Sequence, residues 1–223
     1  MTEKLKDFKV MPIKKQETHV WLLEKHYAKR IPSISYAFGL FDLNNNLVGI
    51  ITYGLPASRS LVVGICGKDY ANYVYELNRL CLQDNKKNQA SFLISKSLKM
   101  LPKPSIVVSY ADSSANHNGY VYQATNFIYT GLSDKHTEWR EKNSNAHSKQ
   151  VCRLNTLDER KNNPDRFYII DRPRKHRYIY FNGDRKIKNT LLNLLKYKIQ
   201  EYPKGQNKRY DSGGKVNTQQ ILF

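Results

Sequence analysis

The stretch from Val74 to Leu132 constrains the fold most. Val74–Leu82 (VYELNRLCL) reads as a central strand, and Ile106–Tyr110 (IVVSY) as a second one so apolar that both its faces must be covered. Between them Asn88–Leu101 (NQASFLISKSLKML) turns Phe92, Leu93, Leu98 and Leu101 to one side of a helix. Asn88 is its expected N-cap, and Pro102 and Pro104 close the far end. Tyr120–Thr125 then predicts a short helix and Phe127–Leu132 another strand. Strands separated by helices in this order build a mixed sheet with right-handed crossovers. The expected class is α/β (α+β), a mixed sheet flanked by helices.

The flanking segments are read the same way. Residues 17–30 (ETHVWLLEKHYAKR) space Val20, Leu22, Leu23 and Tyr27 as a first helix, ended by Pro32. Tyr36–Asp42 and Leu47–Tyr53 are strand-like runs joined through Leu43-Asn44-Asn45-Asn46 as a hairpin. Leu55–Gly67, broken by Pro56, Gly64 and Gly67, reads as loop, and so does the polar Ser133–Gln150. Phe167–Ile170 and Tyr178–Phe181 are expected to pair as strands around Arg172-Pro173-Arg174-Lys175-His176-Arg177, and Lys186–Glu201 to form a basic helix. From about Tyr202 the chain is too polar to pack and is expected to be disordered.

A formal charge of +18 on 223 residues points to a polyanionic partner, of which nucleic acid is the commonest. A ribosome-like binder and a membrane-surface protein carry the same signature. The charge is uneven, with 15 Lys/Arg against 4 Asp/Glu between Arg160 and Arg209. Phosphates are therefore expected to be gripped by the C-terminal part, tightly at low salt and weakly at high salt. Cys66, Cys81 and Cys152 are odd in number, far apart and form no CxxC pair, which suggests neither a disulfide framework nor a thiolate zinc site. They suit a reducing compartment. No run resembles a signal core or reaches the length of a membrane span, so the expectation is a cytoplasmic protein with no membrane partner.

Three places put polar groups into otherwise buried elements. In Glu76-Leu77-Asn78-Arg79, strand alternation puts Glu76 and Asn78 on one face and Arg79 on the other; such charges line a cleft, or else form a buried Glu–Arg network. Ser109-Tyr110-Ala111-Asp112 ends an apolar strand in a carboxylate, where sheets of this kind gather ligand-contacting residues; an Asx turn or a helix cap is the alternative for Asp112. His26-Tyr27 closes the first helix, where a His is also an ordinary dipole partner and a Tyr an ordinary core residue. His117-Asn118-Gly119-Tyr120 and Tyr122-Gln123 follow Asp112 as a lid or base-reading loop. No glycine-rich nucleotide loop follows a strand, and neither HExxH nor HxE…PCxxC occurs, so a zinc protease and a zinc deaminase are not expected, and no residue is assigned to a metal.

Glu76-Leu77-Asn78-Arg79-Leu80, Ser109-Tyr110-Ala111-Asp112 and Gly119-Tyr120-Val121-Tyr122-Gln123-Ala124-Thr125-Asn126-Phe127 together resemble the Mom family of bacteriophage adenine-modification enzymes. His26-Tyr27, the Gly39…Gly49…Tyr53-Gly54 stretch, Ser58-Arg59 and Arg174-Lys175-His176-Arg177-Tyr178-Ile179-Tyr180-Phe181 extend the resemblance to roughly residues 20–205. It implies the fold of the GCN5-related N-acetyltransferases and conversion of adenine in phage DNA to N6-carbamoylmethyl-adenine, which hides restriction sites from host nucleases. The residues it implies for catalysis are Tyr27, Arg79 and Asp112, with His26, Glu76 and Asn78 close by. On this reading residues 1–150 form an acyltransferase-like catalytic domain, 151–205 a basic DNA-binding extension packed on it, and 206–223 a disordered tail. Arg59, Arg172, Arg174, Lys175, Arg177, Arg185, Lys186 and Lys188 are the expected contacts to double-stranded DNA in the host cell cytoplasm.

The resemblance to acetyltransferases breaks at one place. Their central strand runs into a glycine-bearing loop that cradles the coenzyme A pyrophosphate, whereas Gln83-Asp84-Asn85-Lys86-Lys87-Asn88-Gln89-Ala90 holds no glycine. Acetyl-CoA is therefore disfavoured, and Lys86, Lys87 and Asn88 are assigned to another phosphate-bearing donor. The product carries a glycinamide skeleton, which makes an activated glycyl group, with aminoacyl-tRNA as its carrier, the candidate donor. The competing classes are an acyltransferase acting on a protein or small molecule and a non-catalytic DNA-binding protein.

Overall fold

The computed structural model describes residues 5–205 apart from 114–116, 145 and 147, so the tail expected at 206–223 lies outside the described residues. Nine strands are described: β1 Lys9–Pro12, β2 Tyr36–Phe41, β3 Leu47–Gly54, β4 Val74–Leu82, β5 Ser105–Asp112, β6 Ile128–Leu132, β7 His136–Glu141, β8 Phe167–Arg172 and β9 Lys175–Asn182. Seven form one sheet in the order β1-β2-β3-β4-β5-β9-β6, and β7 pairs with β8 separately. Only β4 and β5 run parallel; every other pairing is antiparallel. Six α-helices accompany them: α1 Arg59–Cys66, α2 Gln89–Met100, α3 Tyr120–Gln123, α4 Ser148–Leu154, α5 Leu157–Asn162 and α6 Arg185–Asn193. The expected mixed sheet flanked by helices is present.

Strand β5 shows why its sequence is so apolar. Val107 points into the core built with Leu93, Ile94 and Leu98 of α2, while Ile106 and Val108 point into the opposite core with Ile65 of α1 and Leu191 of α6. Each such fully buried side chain contributes about 1.5–3 kcal/mol relative to leaving it in water. The alternation of β5 thus clamps α2 on one face and α1 with α6 on the other.

Several local expectations are corrected. Leu55–Gly67 is not loop throughout: Ser58 Oγ accepts from Leu61 N–H at 3.3 Å and starts α1, which Gly67 ends at φ +96°. The first helix is broken into a 3-10 turn at Lys15–Thr18 and a π-type turn at Trp21–Lys25, and the chain is already extended at His26, well before Pro32. Asn88 stands at the start of α2 in a left-handed conformation (φ 66°), and its side chain caps nothing. Ser133–Gln150 contains β7 and the beginning of α4. Phe167–Ile170 pairs with β7, not with Tyr178–Phe181, because β9 takes the place between β5 and β6.

The boundary expected at residue 150 falls inside α4, and β9 interlocks with the main sheet. The basic helix stops at Asn193 rather than Glu201. Residues beyond it run as a strap along the sheet: Lys196 N–H donates to Ile65 O, Gln200 N–H to Tyr129 O, and Tyr202 Oη to Phe127 O at 2.7 Å. Tyr120 Oη donates to Gly205 O, so order persists past Tyr202 to the last described residue.

Candidate active site

The site begins with an irregularity in β4. Its register against β3 steps from Thr52↔Arg79 to Tyr53↔Leu77, which leaves Asn78 as an extra residue in a β-bulge. One extra residue reverses the strand's alternation. Arg79 therefore acts on Glu76 instead of standing on the opposite face: the guanidinium pulls the Glu76 carboxyl downward against burial, and Glu76 holds the guanidinium up. Asn78 pins the bulge, its Nδ2 donating to Ser33 O at 2.8 Å and its Oδ1 accepting from Thr52 Oγ1 at 2.6 Å. Those bonds make Asn78 a positioning residue, with its amide engaged on the scaffold.

The second element is a split between the parallel strands. Ladder pairing of β4 with β5 covers only Val74–Glu76 against Ile106–Val108. Ser109 Oγ bonds Leu77 O at 3.0 Å, and beyond it the two strands part toward their carboxyl ends. Glu76 and Arg79 come from one side of this split and Asp112 from the other. Asp112 faces Lys175 across the β5–β9 pair, with Nζ 3.6 Å from Oδ2.

His26 and Tyr27 form the third side, where the broken first helix turns extended. Their rings stack at 4.5 Å. His26 is buried, and its Nδ1 accepts from Ala28 N–H at 3.1 Å, which leaves the neutral ring's proton on Nε2. Burial first, and the Arg79 charge second, lower its pKa to about 4. Tyr27 keeps one side open to solvent, yet burial raises its phenol pKa; Asp112 pushes it further up while Arg79 and Arg30 oppose. Tyr27 thus feels both Asp112 and Arg79, which ties the two strands and the turn into one cluster.

Within the cluster Arg79 is the unsatisfied member. Its Nη1 donates to Asn78 O at 2.6 Å, but its Nε is buried without a hydrogen-bond partner among the described residues. Burial lowers its pKa, and Arg30 adds to the effect. A buried N–H left without an acceptor costs about 1–3 kcal/mol, a strain that a substrate oxygen would relieve. Such a donor suits an oxygen on which negative charge develops. Glu76 is half-buried with its pKa raised chiefly by burial, and the His117 pKa is lowered by burial and raised by Asp112. Tyr122, its hydroxyl pushed up to about 12, feels Tyr27 and Glu76.

Sequence reasoning overlooked Arg30, which acts on Tyr27, Glu76 and Arg79 together. It also placed Lys175 on DNA, whereas Lys175 pairs with Asp112. The only signal for Arg30 was its place next to the His26-Tyr27 pair, inside a segment read as helix.

The buried neutral His26 has a measurable consequence. Its unfolded form binds a proton near 6.5, which the folded form refuses until about 4. The stability it contributes is complete above the unfolded pKa and is lost as pH falls through that window, by up to about 3 kcal/mol. Denaturant titrations of the wild type should show this loss, and His26→Asn should flatten it.

The other expected contacts scatter. Lys86 and Lys87 are exposed in the β4–α2 connection, where Lys86 also pairs with Asp84 at 3.8 Å. Lys86 N–H is used on Asp84 O and Gln89 N–H on Lys86 O. With those amides spent and a carboxylate in the loop, the connection does not fit a coenzyme A pyrophosphate. Arg177 is buried, donating to Thr130 Oγ1 at 3.0 Å and lying 3.5 Å over the Tyr197 ring, so it is a structural residue and not a DNA contact. Arg174 Nε donates to Ser133 O at 2.6 Å. Arg59 is exposed in the first turn of α1. Arg185, Lys186 and Lys188 are exposed on α6, which starts just after Asn182, the partner of Ser105. That is the opposite end of β5 from Asp112, roughly 20 Å away along the strand. Arg172 alone of the basic set ends the separate β7–β8 ribbon in an exposed position.

The model of the Mom protein family matches residues 7–204. The methylcarbamoylase mom of Escherichia phage Mu is 31% identical over 196 residues, covering 81% of this chain and 77% of that protein. Among solved structures, spermidine N-acetyltransferase from Vibrio cholerae in complex with CoA and spermine is 10% identical with a TM-score of 0.45, covering 84% of this chain and 99% of that one. The same enzyme in a dodecameric intermediate state gives the same identity and TM-score over 79% and 95%. With the family match over most of its length and the Mu relative at this identity and coverage, the chain belongs to the Mom protein family.

Proposed function

We propose that this chain is a transferase that modifies phage DNA, converting adenine to N6-carbamoylmethyl-adenine. The observation that carries the reading is the convergence of Arg79, Asp112, Glu76, His26 and Tyr27 where β4 and β5 part, with a buried Arg79 N–H that lacks an acceptor among the described residues. The Mu relative's name, methylcarbamoylase, supports the group transferred.

Adenine N6 is paired inside a duplex and delocalised into its ring, so the base is extruded or caught unpaired. In the split, Asp112 orients N6 and takes its proton as N6 attacks the carbonyl of an activated glycyl ester; the ester C–O bond then breaks and the carrier's hydroxyl leaves with that proton. Arg79 receives the oxygen that becomes negative. Tyr27, half-open to solvent and stacked on His26, meets the flat face of the base. The glycyl amine then attacks C6 and the original N6 departs from the ring as the carboxamide nitrogen, which yields the carbamoylmethyl product with atoms balanced.

Nucleoside mass spectrometry of DNA from cells expressing the protein should show deoxyadenosine carrying a carbamoylmethyl group, and Asp112→Ala should remove it. Unmodified DNA from cells expressing the wild-type protein would overturn the reading. Isotopically labelled glycine that never enters the base would remove the donor assignment alone.

A further inference from the structure

We propose that the β7–β8 ribbon enters a groove of duplex DNA beside the site; the inference rests on DNA being the substrate. Its position argues first. The chain leaves the main sheet after Leu132, the partner of His176, and returns at Lys175, the partner of Asp112. The ribbon therefore stands at the Asp112 end of the sheet, where an extruded base would have to arrive, whereas the lysines of α6 stand at the other end.

Its construction argues second. One face is packed only in part: Phe167 is buried and the Trp139 ring lies under the Arg160 guanidinium of α5 at 5.2 Å, while Thr137, Ile169 and Asp171 on that face are exposed. By the register, the opposite face carries His136, Glu138 and Arg140 from β7 against Arg172, Ile170 and Tyr168 from β8. His136, Arg172 and Tyr168 are exposed, Tyr168 at 42%. The one carboxylate on this face, Glu138, is held by Arg140 through an Nε–Oε1 bond of 3.0 Å. What remains is the Arg172 guanidinium beside His136 and an exposed aromatic ring, a net charge of one.

Its shape argues third. A two-stranded antiparallel ribbon fits the major groove of B-DNA, about 12 Å wide. Six residues per strand give a ribbon of roughly 20 Å, close to half a helical turn of contact on each side. Basic groups on such a ribbon grip phosphates, and Tyr168 offers a ring to base edges or sugars.

The test is fluorescence anisotropy with a labelled duplex of mixed sequence, with circular dichroism to verify folding. Arg172→Glu should weaken binding by about tenfold and flatten the salt dependence, while Lys99→Glu, the same charge change on exposed α2, should weaken it by no more than about twofold. Tyr168→Ala, which changes no charge, should weaken it by about fivefold. Equal losses for Arg172→Glu and Lys99→Glu would overturn the ribbon, because only net charge would matter. So would Tyr168→Ala dissociating a dimer with unchanged DNA affinity, or a wild type that binds single strands but no duplex. Modified adenine made normally by variants that bind duplex normally would sink the ribbon and leave the enzyme reading intact. A wild type that neither binds nor modifies DNA would remove both.

Discussion

Replacing Arg79 by methionine is expected to lower adenine modification by about 10²–10³-fold while leaving the fold as stable as before, or more stable. The guanidinium is held in a partly buried position with its Nε unbonded among the described residues. An apolar side chain of similar length removes that unpaired donor, and the penalty of about 1–3 kcal/mol goes with it. Function and stability thus move in different directions. An independent readout follows from the electrostatics: Arg79 lowers the pKa of His26, so the substitution should raise the His26 titration from its low value when followed by NMR. A thermal midpoint that falls together with activity would instead make Arg79 a structural residue.

The second large effect concerns stability. Gly54→Ala should destabilise the protein by roughly 3 kcal/mol or more, a fall of roughly 6–12 °C in thermal midpoint. A Cβ at Gly54 would lie 1.8 Å from Ser33 O and 2.6 Å from Ser33 C, which are backbone atoms that cannot swing aside. Ser33 O is also the acceptor for Asn78 Nδ2, so displacing it loosens the bulge that sets Arg79 against Glu76. Gly67→Ala is the control: nothing lies within 4 Å of its Cβ, and only the backbone strain at φ +96° remains, of order 1–3 kcal/mol. A thermal melt in which Gly54→Ala matches Gly67→Ala would show that the Ser33 loop yields freely.

The sequence carried the centre of the fold because burial on both faces leaves a composition that little else explains, as in Ile106–Tyr110. It hid α1 because Gly64 and Gly67 look like loop residues, although one sits inside the helix and the other ends it. It misassigned the partners of β8 and β9 because strand propensity is local and pairing is not; adjacent strands join different sheets here. The residues of the candidate site were named except Arg30, but the shared face of Glu76 and Arg79 was not, since a bulge adds no distinctive residue type. Counting basic residues toward DNA missed the partners that Arg177 and Lys175 have inside the protein, for a related reason. Charge in sequence says nothing of whether a guanidinium lies under a tyrosine or an ammonium faces a carboxylate.

Strands β6 and β9 lie antiparallel and side by side, and the segment from Ser133 to Arg174 joins them. Seen this way, they are the two legs of an ordinary hairpin whose tip has been swapped for a folded appendage with its own buried Val151 and Phe167. A tip is the place where a chain tolerates exchange best, since neither leg depends on what closes it. The arm could therefore be cut back to a short Asn-Gly turn, or traded for another of different grip, without redrawing the sheet. Relatives could then change what they hold on to while keeping the chemistry they perform.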